Sequence, residues 1–348
     1  KSVYAFDNLL ISVGSSITSS GTYSTSMLTT TNLFQCLNPT TIGNTILNGN
    51  TISLPYNSTV STAADNWMIT PQGTGYFIPK GNDALNIKFD NQTTPVYTGV
   101  DYAAPATTLP AVKAYLNHGV KPSAKSYSFV VVPGTTIAEM QTLSAQMANG
   151  GGSVYQILSQ SSTYHALWYK PTNIYAYSFF GAASNVTAGI VKSVSTECLL
   201  MDKYDATLNR HSFAVCNPNL QPQTDNVYGW VASQTQTTIT LSGEWKAQSQ
   251  VPGVTFNTPA NAQTLVTVNL YNGEPVYFGI LPLNDVATHN PMSDSIWVDF
   301  NCTDSFLKVS FAESLQHAAS LQIYDTNGKM LVSKQINPGE LVTETDVT

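Results

Sequence analysis

Apolar residues recur along this chain at every second position or in short unbroken runs. The clearest are Val3–Val13, Tyr127–Val132, Tyr164–Tyr169, Ile174–Phe180, Thr237–Leu241, Leu265–Leu270 and Leu321–Val332. They are rich in Val, Ile, Tyr, Phe and Thr and are bounded by Gly, Pro and Asn, which is the pattern of strands. Asn48-Gly49, Asn272-Gly273 and Asn327-Gly328 fall between such runs. Both residue types tolerate positive φ, so these pairs predict tight hairpins. One helix stands out. Thr136-Ile137-Ala138-Glu139 reads as a capping box, Ile137, Met140, Leu143 and Met147 share a helical face, and Gly150-Gly151-Gly152 ends it. The predicted fold class is therefore all-β with very little helix. The pattern divides the chain into a long β unit (1–195), a smaller one (196–286) and a terminal β segment (287–348).

Composition narrows the function. Of 348 residues, 42% are hydrophobic and only 10% are charged, against roughly 25% charged in an average soluble domain. Thr, Ser, Asn and Gln must therefore clothe the exposed sheet faces. The net charge of −7 offers no basic footprint for nucleic acid or an anionic membrane. No apolar run approaches the roughly 20 residues of a membrane span. Among 14 basic residues, Arg210 is the only arginine. Arg grips carboxylate or sulfate with a two-pronged fork, whereas Lys supplies a point charge. A complete site for a polyanion is not expected on this chain alone. The four cysteines, Cys36, Cys198, Cys216 and Cys302, lack the spacing of a zinc site. Cys198 and Cys216 flank a loop and are candidates for a disulfide; four buried free thiols are the alternative. The chain opens on Lys1 without a signal peptide, as expected of a processed chain or a piece of a longer one.

Several segments carry a family resemblance. Lys1-Ser2-Val3-Tyr4-Ala5-Phe6-Asp7-Asn8 leads to Val13-Gly14-Ser15-Ser16-Ile17. Trp67 is followed by Gly73-Thr74-Gly75-Tyr76-Phe77-Ile78-Pro79. Asn117-His118-Gly119, Lys121-Pro122 and Ala124 precede Tyr127–Pro133. In order and spacing, over roughly the first 180 residues, they resemble polysaccharide lyase family 8, the hyaluronate, chondroitin and xanthan lyases. Ser26-Met27-Leu28-Thr29-Thr30-Thr31-Asn32 resembles a further family strand but lacks its Glu. The resemblance implies a supersandwich, a large multi-sheet antiparallel β-sandwich, followed by smaller β-sandwich domains. It also implies an acidic polysaccharide as substrate, cleaved by β-elimination. The Tyr, His, Asn and Arg that perform this in the family lie on an N-terminal α/α-toroid domain, so no catalytic residue carries over to this chain. In the tail, Asn290–Ile296 and Leu321–Lys329 resemble the C-terminal sorting domain of type IX secretion, which implies a secreted or cell-surface protein.

The remaining candidates for substrate binding are Trp67, Tyr76, Asn117 and His118. Trp168 is a further aromatic that could stack on a sugar, although aromatics in β-sandwiches are more often core. His165 reads as a satisfied sheet histidine, and His211, His289 and His317 share no metal-ligand spacing. Asp202 and Asp205 read as loop acids, with a structural calcium ion as the alternative; no other cofactor is implied. No nucleophile elbow, phosphate loop or dinucleotide fingerprint occurs. The expectation is thus the non-catalytic β portion of a secreted polysaccharide lyase, partnered by a helical toroid. The competing expectation is a stand-alone carbohydrate-binding or adhesin protein.

Overall fold

The computed structural model describes the chain apart from residues 21–25, 38–42, 94–96, 99–102, 105, 149–151, 220–222, 226–228, 232–233, 258–260, 284–295, 302–305, 312–318, 325–329, 338–341 and 347–348. It divides into two compact units, Lys1–Leu283 and Asn284–Thr348.

Four larger antiparallel sheets form the first unit, with two short ribbons beside them, Tyr97–Thr98 with Ala103–Ala104 and Gln223–Asp225 with Gly229–Val231. Sheet I runs Leu28–Leu37, Thr108–Val120, Leu85–Thr93, Tyr56–Val60. Sheet II runs Ser2–Phe6, Leu9–Ile17, Lys125–Val132, Gly75–Ile78, Asn66–Ile69, Thr45–Leu47, Asn50–Ile52. Sheet III runs Tyr155–Gln160, Tyr164–Tyr169, Ile174–Phe179, Cys198–Asp205, Arg210–Cys216, Val276–Pro282, Trp245–Ala247. Sheet IV runs Val191–Val194, Gln234–Ser242, Gln263–Tyr271, Val254–Phe256.

Three cores fix the stacking order I–II–III–IV. Ile87, Val112 and Leu116 of sheet I meet Met68, Ile78 and Phe129 of sheet II. Ile11, Trp67 and Phe77, on the other face of sheet II, meet Tyr155, Leu167 and Ala176 of sheet III. Tyr177, Leu200 and Phe213 then meet Val191, Ile239 and Val268 of sheet IV. Sheets II and III are therefore apolar on both faces, which is why Tyr127–Val132 and Tyr164–Tyr169 read as nearly unbroken hydrophobic runs. Sheets I and IV show one apolar and one polar face. Thr237, Ile239 and Leu241 are buried while their neighbours are not.

The helix α1, Ile137–Ala148, inserts Met140 and Leu143 into the core between sheets II and III. Its capping box is reciprocal. The Thr136 hydroxyl accepts from the Glu139 N–H at 3.3 Å, and Glu139 Oε2 accepts from the Thr136 N–H at 2.8 Å. Gly75 lets the helix approach, since a Cβ there would lie 2.6 Å from the Met140 sulfur.

Several expectations need correction. Val3–Val13 is not one strand but a hairpin, with Asp7 at φ 47° in its turn. Asn48-Gly49 does close a hairpin, but Asn272-Gly273 does not. Its flanking strands belong to sheets IV and III, so the turn carries the chain across a layer. Asn327-Gly328 lies outside the described residues. The expected break at 195/196 falls inside the first unit, because strand Ile174–Phe179 pairs with Cys198–Asp205. Cys198 and Cys216 are free thiols, not a disulfide. Leu199, not Cys198, lies opposite Cys216, and successive side chains on a strand point to opposite faces. Cys36 is also free, and Cys302 lies outside the described residues.

In the second unit, Ile296–Asn301, Phe306–Phe311 and Val342–Asp346 form one antiparallel sheet. Ala319–Tyr324 pairs with Met330–Ile336. Asn290–Ser295 and Asp325–Lys329, two parts of the sorting-domain resemblance, lie outside the described residues.

Candidate functional site

The four residues singled out in the sequence do not converge. Trp67 is buried between sheets II and III. Tyr76, on the neighbouring strand, packs toward sheet I, with its ring 4.8 Å from Phe34. Burial raises the Tyr76 hydroxyl pKa. Asn117 and His118 lie near the end of the strand Thr108–Val120. Alternation sends them to opposite faces: Asn117 is half-buried and its Oδ1 accepts from the Gly119 N–H, while His118 faces the core.

His118 is the centre of a polar cluster. Its Nδ1 lies 2.8 Å from Asp83 Oδ2, and its Nε2 lies 2.8 Å from the Thr31 hydroxyl. The other Asp83 oxygen accepts from Lys125 Nζ at 2.7 Å. Burial pushes the Asp83 carboxyl up, but the hydrogen bonds and charge of Lys125 and His118 outweigh it, and the net pKa is lowered. The cluster ties sheet I, the Asp83 turn and the first residue of a sheet II strand together. Thr31, Asp83 and Lys125 are 42 or more residues from one another, and of the three only Lys125 is near His118 in sequence, so no local motif announces the cluster.

His165 is sealed by two serines, one on each ring nitrogen, both at 2.9 Å. Ser15 donates its hydroxyl proton to the Ser161 carbonyl at 2.8 Å. Its oxygen must then accept from Nε2–H, so Nδ1 accepts from Ser2. Burial lowers the His165 pKa to about 4. A neutral, satisfied sheet histidine fits this geometry.

His211 meets the fully buried Asp202 through Nδ1 at 2.7 Å. Tyr204 stacks on the ring at 4.6 Å and Trp245 meets it edge-on at 5.0 Å. Burial raises the Asp202 carboxyl against the opposing pull of His211. The second carboxylate oxygen has no hydrogen-bond partner. Asp205 lies three positions along the same strand, caps the Thr207 and Leu208 amides, and pairs with Arg210 at 3.5 Å. Asp202 and Asp205 are thus engaged separately rather than gathered as calcium ligands. The sole arginine is committed to a turn acid.

Trp168 lies half-buried at the margin of sheet III, parallel to Tyr175 at 5.6 Å, with Lys170 Nζ 5.1 Å from its ring. Among the described residues no group of three His, Cys, Asp or Glu side chains could hold a metal ion. None of the described helices is long and apolar enough to cross a membrane. His289 and His317 lie outside the described residues.

The stacked sheets have counterparts elsewhere. Residues 1–144 match the super-sandwich domain of polysaccharide lyase family 8. The chain is 24% identical over 284 residues to the chondroitin sulfate ABC endolyase of Proteus vulgaris, covering 81% of this chain and 26% of that protein. It is 26% identical over 274 residues to the chondroitin sulfate ABC exolyase of the same organism, covering 73% and 25%. A solved Paenibacillus xanthan lyase shares the fold with a TM-score of 0.63 at 16% identity, over 99% of this chain and 37% of that one. A chondroitinase AC lyase structure does so with a TM-score of 0.58 at 16% identity, over 79% and 35%. The chain spans about a quarter of the length of the curated relatives it matches. It is related to polysaccharide lyases, and its super-sandwich architecture is theirs.

Proposed function

We propose that this chain is the non-catalytic β portion of a secreted lyase that cleaves uronic-acid-containing polysaccharides by β-elimination. The observation that carries the reading is the four-sheet stack, whose first 144 residues match the family 8 super-sandwich domain. The relatives named for chondroitin sulfate point to a glycosaminoglycan as substrate. β-Elimination needs a base for the proton beside the uronate carboxyl, an acid for the leaving oxygen, and donors that neutralise the carboxylate. His118, His165 and His211 are each engaged by buried or half-buried partners, and Arg210 by Asp205. In this reading the chemistry belongs to a helical toroid N-terminal to the chain, and the sheets support the wall of its cleft. The second unit, residues 284–348, serves in the same reading as a type IX secretion signal.

The test is an ultraviolet assay for unsaturated uronate on hyaluronan, chondroitin, alginate and xanthan. It compares the 348-residue chain with the product of the whole reading frame. Activity confined to the longer product is expected. Turnover by the chain alone would overturn the non-catalytic assignment, and no turnover by either would overturn the lyase reading. Deleting residues 284–348 from the whole product should trap it inside the cell; unchanged export would remove the secretion role.

A further inference from the structure

The outward face of sheet I has a feature that neither folding nor the proposed cleft requires. Two registers cross its four strands in straight rows. In one, Gln35, Lys113, Lys88 and Asn57 stand side by side. In the next, Asn32, Tyr115, Asn86 and Thr59 do the same. All eight are exposed or half-buried, whereas their strand neighbours Val112, Ala114, Leu116, Leu85 and Ile87 fill the core. Lys113 and Lys88 are direct cross-strand partners. Like charges in that position repel and weaken a sheet, and this chain has only 14 basic residues to place. Asp90 approaches Lys88 at 3.9 Å, with both side chains more than 40% exposed, so water screens that pair heavily. The Lys113 ammonium lies 5.7 Å from the centre of the Tyr115 ring.

We propose that this face binds an anionic polysaccharide lying across the strands. The paired ammonium groups flank one carboxylate or sulfate, the Tyr115 ring supports a sugar face, and the amides of Gln35 and Asn57 meet hydroxyl groups, while Asn86 is held by Thr59 at 3.0 Å. At about 4.8 Å per strand the row is about 14 Å wide, an open track rather than a pocket. Charge complementarity selects the occupant. Two adjacent cations relieve their repulsion by sharing an anion, and the remaining side chains are uncharged hydrogen-bonding groups suited to a glycan. The ligand class rests on the proposed function, but the site does not, because the face needs no catalytic domain to bind.

The experiment is calorimetric titration of the 348-residue chain with chondroitin sulfate at low salt, with neutral dextran as control. Binding of chondroitin sulfate but not dextran is expected. K88Q/K113Q should weaken it about tenfold and Y115A should weaken it less. K192Q/K203Q, which removes the same charge from other sheets, should leave binding within twofold of the unaltered chain. The melting temperature of K88Q/K113Q without ligand should equal or exceed that of the unaltered chain, because a repulsion is removed. No binding by the unaltered chain, equal binding of dextran, or equal losses in the two lysine variants would each overturn the site. The lyase assay above is indifferent to all three results, so failure here and failure of the lyase reading are separable.

Discussion

His118 and His211 each meet an aspartate through Nδ1, at 2.8 and 2.7 Å, yet the two carboxyl groups shift in opposite directions. Asp83 sits at the edge between sheets I and II, is 21% exposed, and shares its charge with Lys125. Asp202 is sealed inside the sandwich of sheets III and IV, and one of its oxygens has no partner. Desolvation opposes ionisation in both. A second cation and access to water reverse its effect in the first pair, and the second pair has neither. Burial, not the length of the hydrogen bond, decides what such a pair does.

The largest effect should come from breaking the sealed pair. His211→Leu strands a carboxylate in the core, and urea titration at neutral pH should show a loss of about 4 kcal/mol. Asp202→Asn leaves no charge behind and should cost clearly less. Equal costs would mean that the charge is not what matters there. Asp202 also sets a direction with pH. Its raised folded pKa means that its contribution is complete below the unfolded value of 3.8 and is lost as pH rises through the folded one.

His165 tests the same physics without an acid partner. Its folded pKa of about 4 lies below the ordinary 6.5, so its contribution is complete above 6.5 and is lost as pH falls toward 4. The difference is worth about 3 kcal/mol. His165→Gln should flatten that part of the stability–pH profile, and an unchanged slope would show that other groups set it. At the partly solvated pair, His118→Leu should cost about 1–3 kcal/mol, for two lost hydrogen bonds and a carboxylate that still holds Lys125. Because Asp83 is lowered, the contribution of its cluster is present above the unfolded carboxyl value and fades in acid. Lys125→Met removes a half-exposed ion pair and should cost under about 1 kcal/mol. A larger loss would mean that water screens the Lys125–Asp83 pair less than its exposure implies.

Much of the architecture was legible in the chain. Alternating runs gave most of the strands that were expected, and the reciprocal Thr136–Glu139 cap gave the helix. The buried state of His165 followed from its place in an apolar strand. The functional candidates were less readable. Trp67 and Tyr76 stand in one short motif, but Trp67 and Met68 face different layers, and Tyr76 follows Met68 rather than Trp67. The cluster around His118 draws on residues 31, 83 and 125, and no short window of sequence contains them. The rows on sheet I were equally hidden, since Lys88 and Lys113 become neighbours only through strand register.

By itself the sequence determined what is local: period-two burial, the helix cap, the turn at Asn48-Gly49, and a charge balance with a single arginine. Those depend on backbone propensity and on composition. Tertiary structure decided the stacking order of the sheets and the crossover at Asn272-Gly273. It also decided the parity that keeps Cys198 and Cys216 apart, and the opposite fates of two aspartate–histidine pairs. Each of these depends on which strand lies opposite which and on how much water remains beside it, and neither quantity is a property of any single segment.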